Sequence, residues 1–398
     1  MAIRKLGIVG IAAAALLAAG TGPIQAQSVK IGYLSDLTGA GSTLGGESSI
    51  PAIKMAIEDF GGTALGKPIE LIVADTLNKP DVGLGIAREW IDTQGVTAIL
   101  DVNNSAVALA VTGLSEEKKV IFLSGASSTK LTNESCSPYY TGWQADNRTL
   151  AYSVALPLAK QGNDNWFFIT VDYAFGHDLE ANAMKAVESA GRKILGAVRH
   201  SPQTTDYSAF LLEAQSKGAK TIFLATFGSY MVNIIKQVKE FGMDVKLVPV
   251  YMAETDIKAI GQENLTNVSG AVTFYWGRNE KTKAFSKRYE AVFGRPPTFL
   301  NAQQYAAVTH YLKAVQKAGT TDATAVAAAM RSFPVEDATD TSAYIREDGK
   351  VMRDMYTFDV KSKAESQSEW DVMKITSTAD KEEVNQPIAE STCKLVKK

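Results

Sequence analysis

Val29-Lys30-Ile31-Gly32-Tyr33-Leu34 is an apolar run broken only by Lys30 and Gly32, and Ser35-Asp36-Leu37-Thr38-Gly39 follows it directly. A strand this continuously apolar belongs in a parallel sheet with both faces covered. The polar, glycine-bearing segment marks its carboxyl end, and residues 50–60 beyond it carry apolar side chains at helical spacing. The same unit then recurs. Strands are expected at 69–74, 97–102, 120–123, 166–171, 193–198, 221–226, 246–251 and 271–275. Helices are expected between them at 82–92, 106–118, 149–160, 178–190, 207–217 and 230–241. Strand, helix, strand in repetition means open α/β sheets with right-handed crossovers.

Nine strands fit two sheets better than one, with breaks near 142–148 and 276–280. Past the second break come helices at 281–293, 301–318 and 324–331. A hairpin over 343–360 then turns at Asp348-Gly349. The chain has 398 residues, and single cores stop growing near about 250–300 residues, so two cores are expected. The fold class read from this is α/β: two Rossmann-like lobes, each a parallel sheet flanked by helices, joined by a multi-strand hinge. Residues 27–145 plus roughly 278–345 form lobe 1. Residues 146–277 plus roughly 346–375 form lobe 2, and 376–398 are a tail near the hinge.

Residues 1–26 read as an export signal. Arg4 and Lys5 precede an apolar stretch from Leu6 to Ala19, and Gly22-Pro23 lead to a small residue, Ala26, where cleavage is expected. The stretch is short of the about 20 apolar residues that span a bilayer. Export to the periplasm removes a nucleotide pool from consideration. The formal charge of −2, more acidic once Arg4 and Lys5 are gone, and the lack of a basic stripe argue against nucleic acid. There are two cysteines, Cys136 and Cys393; in an oxidising compartment they are expected to bridge.

Ligands of open α/β sheets bind beyond the carboxyl ends of the strands. In the first half the loops there are Ser35–Gly39, Asn103-Asn104-Ser105 and Ser124-Gly125-Ala126-Ser127-Ser128. They offer hydroxyls, amides and helix N-termini, which favour an anion such as a carboxylate. In the second half they are Asp172-Tyr173-Ala174-Phe175-Gly176, Phe227-Gly228-Ser229-Tyr230 and Met252-Ala253-Glu254. They offer aromatic rings and one carboxylate, Glu254, suited to an ammonium group. The candidate contacts are Asn104, Ser105, Ala126, Ser127, Ser128, Tyr173, Phe227, Tyr230 and Glu254.

Sharper motifs fail. Gly61-Gly62-Thr63-Ala64-Leu65-Gly66-Lys67 has P-loop spacing, but Pro68 replaces the magnesium-binding hydroxyl and the segment follows a helix. Gly39, Gly41 and Gly45 miss the dinucleotide spacing. His177, His200 and His310 have no second ligand at metal spacing. Asp172 with His177 lacks a nucleophile, and no G-x-S-x-G elbow exists. No enzyme, metal or cofactor is expected.

Residues 29–39, 124–128 and 172–176 resemble the branched-chain amino-acid type of periplasmic substrate-binding protein, which feeds ATP-driven importers. The resemblance runs through nearly all of the exported chain, in order. It implies the type I periplasmic binding fold, closure of two lobes on a small solute, and a membrane permease as partner of a monomer. It implies that hydroxyl and backbone groups near Ser105, Ala126 and Ser128 hold a ligand carboxylate. Tyr173 and Phe227 or Tyr230 resemble the family's ring contacts, and Glu254 the partner of the α-ammonium, within an offset of one or two residues. Family members also bind aromatic carboxylates and amides, so the ligand class stays open. A sensing module that presents the solute to a membrane receptor is the alternative role.

Overall fold

The opening apolar run forms β1 (Lys30–Ser35), in which every side chain after Lys30 is buried. The computed structural model describes residues 28–265, 268–339 and 342–397, so the export signal lies outside the described residues. β1 sits inside a five-stranded sheet with β2 (Glu70–Asp75), β3 (Ala98–Asp101), β4 (Ile121–Ser124) and β5 (Tyr140–Gly142), in the order β2-β1-β3-β4-β5. All pairings are parallel; Tyr33 stands opposite Val73 on one side and Leu100 on the other. Alternate residues serve opposite cores. Ile31 and Tyr33 pack with Ile53 of α1 (Ser49–Asp59), while Leu34 packs with Trp90 of α2 (Pro80–Gln94) and Val107 of α3 (Ser105–Lys118). Gly32 is required on that second face, because a Cβ there would stand 2.4 Å from the Trp90 ring.

After α4 (Asn147–Lys160) the pattern restarts. β6 (Trp166–Val171), β7 (Ile194–His200), β8 (Thr221–Ala225) and β9 (Lys246–Pro249) form a second parallel sheet, ordered β9-β8-β6-β7. β6 and β8 are buried throughout. α5 (Ala174–Ser189), α6 (Ser208–Ser216) and α7 (Gly228–Glu240) alternate with these strands, and α8 (Glu254–Ile260) follows β9. A small antiparallel sheet of β10 (Ser269–Val272), β11 (Met355–Val360) and β12 (Met373–Ala379) packs against α4. α9 (Glu280–Phe293) and α10 (Phe299–Ala318) return to pack on α1, and α11 (Ala323–Met330) packs beside β4.

The chain therefore passes between the two bodies at 143–146, at 273–279 and at 353–354, and after β12 its tail returns to the first body, where Lys394 pairs with Glu116 of α3. The expected hairpin exists, pairing Tyr344–Ile345 with Val351–Met352. Its turn residue Gly349 has φ +85° and accepts from Gly142 N at 2.9 Å, tying the hairpin to the end of β5. At the first passage Asp146 caps α4 and receives Lys350 Nζ at 2.5 Å, both side chains buried. Burial pushes the Asp146 carboxyl up, but the Lys350 charge and hydrogen bonds outweigh it and hold it below the usual range. Cys136 and Cys393 are bonded, Sγ–Sγ 2.02 Å.

Some boundaries differ from those expected. The strand read at 246–251 stops at Pro249, and that read at 271–275 lies at Ser269–Val272. The strand read at 351–360 breaks at Arg353-Asp354, where the chain changes body. β5, α8 and β12 were not anticipated from the sequence; β5 has three residues and β12 is mostly exposed.

Candidate functional site

The strand order of the first sheet reverses between β1 and β3, and that of the second between β6 and β8. Crevices for ligands open at such reversals. Here the two reversals face one another across a small cavity of about 30 Å³, the lobes being closed tightly on it. Its first wall is mostly polar, with Asp36 after β1, Asn78 after β2, Asn103 and Asn104 after β3 and Ser127 after β4, beside the apolar Leu44 and Leu300. Its second wall is aromatic: Tyr173 and Phe175 after β6, Phe227 after β8, and Tyr251 after β9.

Local hydrogen bonds fix the polar wall. Asn104 Oδ1 accepts from Ala106 N and Val107 N at 2.8 and 3.1 Å, capping α3. Its Nδ2 donates to Asn78 Oδ1 at 2.6 Å. Asp36 accepts from Gly39 N at 2.7 Å and Gly41 N at 3.2 Å, and burial raises its carboxyl above the usual range. In the same loops Ser105 Oγ and Ser128 Oγ are buried with no hydrogen-bond partner among the described residues. Orphaned buried hydroxyls cost roughly 1–3 kcal/mol each; these two sit in the loops that carry the polar wall, and neither lines the cavity itself.

The aromatic wall holds itself in place edge to face. Phe175 meets Phe227 at 5.4 Å and Tyr251 at 6.1 Å, centroid to centroid. Tyr251 also packs on Phe299 at 5.4 Å, and its hydroxyl accepts from Gln144 Nε2 in the first passage between bodies. The walls touch directly as well. Thr129 donates from N and Oγ1 to Asp178 of α5 at 2.7 and 2.6 Å. Of the residues lining the cavity, Asp36 is the one with a formal charge.

The family model described as periplasmic binding protein matches residues 28–365. The fold superposes on a periplasmic binding protein from Burkholderia mallei with a TM-score of 0.91 and 40% identity, covering 93% of this chain and 99% of the other. The chain belongs to the periplasmic binding protein family. A branched-chain amino-acid ABC transporter periplasmic ligand-binding protein from Burkholderia xenovorans is 34% identical, TM-score 0.82, over 92% of this chain and 99% of that one. A solute-binding protein of an ABC transporter from Rhodopseudomonas palustris, in complex with 3,4-dihydroxybenzoic acid, shares the fold at 23% identity and TM-score 0.80, covering 88% and 97%.

The α/β type I architecture is thus shown, and this periplasmic binding protein is the solute-binding component of an ABC transporter, of a non-enzymatic family whose place is the periplasm. Of the residues singled out in the sequence, Asn104, Ser127, Tyr173 and Phe227 line the cavity. Ser105, Ala126 and Ser128 are buried in the same loops, Ala126 N donating to Ser124 Oγ at 3.1 Å. Tyr230 stands behind Phe227 at 5.8 Å and packs on His200. Glu254 is not among the lining residues. It opens α8, buried, with Oε1 unpartnered, and burial pushes its carboxyl to about 7. Asp172 and His177 form an exposed pair at 2.7 Å with no nucleophile beside it. The lining residues not singled out include Asp36, Asn78, Phe175 and Tyr251. Asp36 and Phe175 stood in the loops already quoted; Tyr251 was hidden because it was read as strand.

Proposed function

We propose that the cleft captures a small carboxylate-bearing solute, an amino acid or an aromatic acid, and delivers it to the membrane permease of an ABC importer. The reading takes the exported form to begin after Ala26, in the periplasm. The observation that carries it is the cavity itself, polar loops on one wall and rings on the other, with two orphaned hydroxyls, Ser105 Oγ and Ser128 Oγ, buried in those polar loops. Ser105 opens α3, where the helix N-terminus adds attraction for an anion of roughly 0.3–1 kcal/mol, up to about 2 when partly buried. The rings of Tyr173, Phe175, Phe227 and Tyr251 supply the apolar surface that a hydrocarbon or aromatic body requires. The names of the relatives, one a branched-chain amino-acid transporter component and one bound to a dihydroxybenzoate, bracket that range of ligands.

The test is a calorimetric and thermal-shift screen of the exported chain over amino acids and aromatic acids. A micromolar ligand corresponds to about −8 kcal/mol, and excess ligand raises the melting temperature by mass action. The Ser105→Ala, Ser128→Ala double variant is expected to bind the same acid at least tenfold more weakly. A screen in which no acid binds, or a double variant that binds unchanged, refutes the reading.

A further inference from the structure

We infer that Asp36 sets the specificity of this cleft, selecting acids that also present a hydrogen-bond donor, an ammonium or a hydroxyl, over acids that present none. The inference rests on the carboxylate reading above. Asp36 is 2% exposed, yet it faces the cavity from the polar wall. Its two oxygens receive one backbone N–H each, from Gly39 and Gly41. Thr38 N adds a weaker contact, and since an ionised carboxylate has about four acceptor positions, acceptor capacity remains. The lining offers it no lysine, arginine or histidine. Its nearest ionic influence is another acid, Asp75, which makes its charge harder to hold. A buried carboxylate in that condition gains from a donor and repels a second anion.

The space to receive that donor exists because residue 41 is glycine. A Cβ at Gly41 would lie 3.2 Å from the Phe227 ring, 3.5 Å from Asn103 Nδ2 and 3.6 Å from Asp36 Oδ2. The missing side chain therefore leaves uncrowded a corner of the cavity where a carboxylate, an amide and a ring converge, and any side chain there would press on all three. An ammonium entering that corner would meet the carboxylate on one side and a ring on the other, an attraction of the cation–π kind. A phenolic hydroxyl would donate to the same oxygen. Burial chiefly, and the charge of Asp36 in addition, makes the hydroxyls of Tyr173 and Tyr230 harder to ionise. Glu254, outside the lining, is left without a ligand role.

Paired ligands test this, each pair differing by the donor alone: leucine against 4-methylpentanoate, and 4-hydroxybenzoate against benzoate. The native protein is expected to prefer the donor-bearing member of whichever pair it binds by at least tenfold. In Asp36→Asn, which keeps an oxygen for the Gly39 N–H, that preference is expected to fall below threefold, through loss of the donor-bearing ligand. Gly41→Ala, which crowds that corner and leaves the carboxylate, is expected to erase the preference as well. The pair that responds tells ammonium from hydroxyl. Equal binding of both members by the native protein overturns the inference. So does an equal loss of both members in Asp36→Asn, which would make Asp36 a loop cap only. A native protein that binds no acid from either pair overturns the carboxylate reading, and this inference falls with it.

Discussion

Gly228 decides how closely the two walls approach. It has φ +53°, in the left-handed region, and a Cβ there would stand 2.1 Å from Ala40 O on the opposite body. Two constraints are stacked on one residue: the backbone shape that opens α7, and the absence of a side chain where lobe 1 presses on it. They separate by substitution. Alanine costs about 1–2 kcal/mol for the left-handed backbone, in any lobe arrangement. The collision with Ala40 arises only when the lobes are together. Asparagine tolerates the left-handed region better but keeps the Cβ. Gly228→Ala and Gly228→Asn are therefore both expected to weaken ligand binding tenfold or more in calorimetry. Only alanine should also lower the melting temperature of the ligand-free protein by several degrees. Restored affinity in Gly228→Asn would show that backbone shape alone matters.

At the scale of elements, α8 carries two buried acids in its first turn, Glu254 and Asp256. A helix N-terminus favours their charge, but burial dominates and pushes both carboxyls to about 7. Such acids keep their protons in the folded state over a window where the unfolded chain has released them. The contribution of these two acids to stability is therefore fully present below about pH 4 and is lost as pH rises from there through about 7. Glu254→Gln removes one of the two contributions. Its melting temperature is expected to vary less between pH 5 and pH 8, with a gain on the order of 1–3 kcal/mol at pH 8; a slope equal to the native one would show Glu254 to be uninvolved. The sequence made some elements plain and hid others, for reasons these segments share. β6 could be read because Trp166–Val171 is apolar and buried throughout. β12 could not, because Met373–Ala379 lies at an edge with most side chains in water, leaving no apolar run. The loops of the polar wall were legible from where the strands end. Tyr251 lines the cavity and Glu254 does not, because β9 ends two residues earlier than its apolar run, at Pro249. That brings position 251 to the cavity and carries 254 into the next helix. Asp36 was visible in its loop, but only the folded loop shows that it faces the cavity.

The whole molecule is stapled in one way and free to move in another. The Cys136–Cys393 bond spans 257 residues, including every passage between the bodies, and fixes the returning tail to the first body. Closing so long a loop stabilises a fold by about 5 kcal/mol in the chain-entropy account, often less in practice. The Cys136→Ser, Cys393→Ser double variant is expected to lose 2–5 kcal/mol in denaturant unfolding with ligand affinity unchanged, since neither cysteine lines the cavity. Opposite the passages, the walls meet through the Tyr251–Phe299 ring contact and a few polar ones: the two bonds from Thr129 to Asp178, and Ser229 N at 3.5 Å from Ala40 O. Polar contacts of this kind contribute about 0.5–1.5 kcal/mol each, somewhat more to a charged acceptor. They are too few to hold the lobes together against water by themselves, so a solute bonded to both walls tips the balance by its differential affinity. Small-angle scattering is then expected to show a smaller radius of gyration with saturating ligand than without. Thr129→Val deletes the hydroxyl bond to Asp178, keeps the backbone one and leaves the lining residues unaltered. It should weaken binding roughly fivefold to thirtyfold, while the same compact shape is still reached once ligand saturates. Scattering curves that coincide with and without a ligand proven to bind would show that the walls stay together regardless. Thr129 would then be stabilising the fold and not the capture of solute.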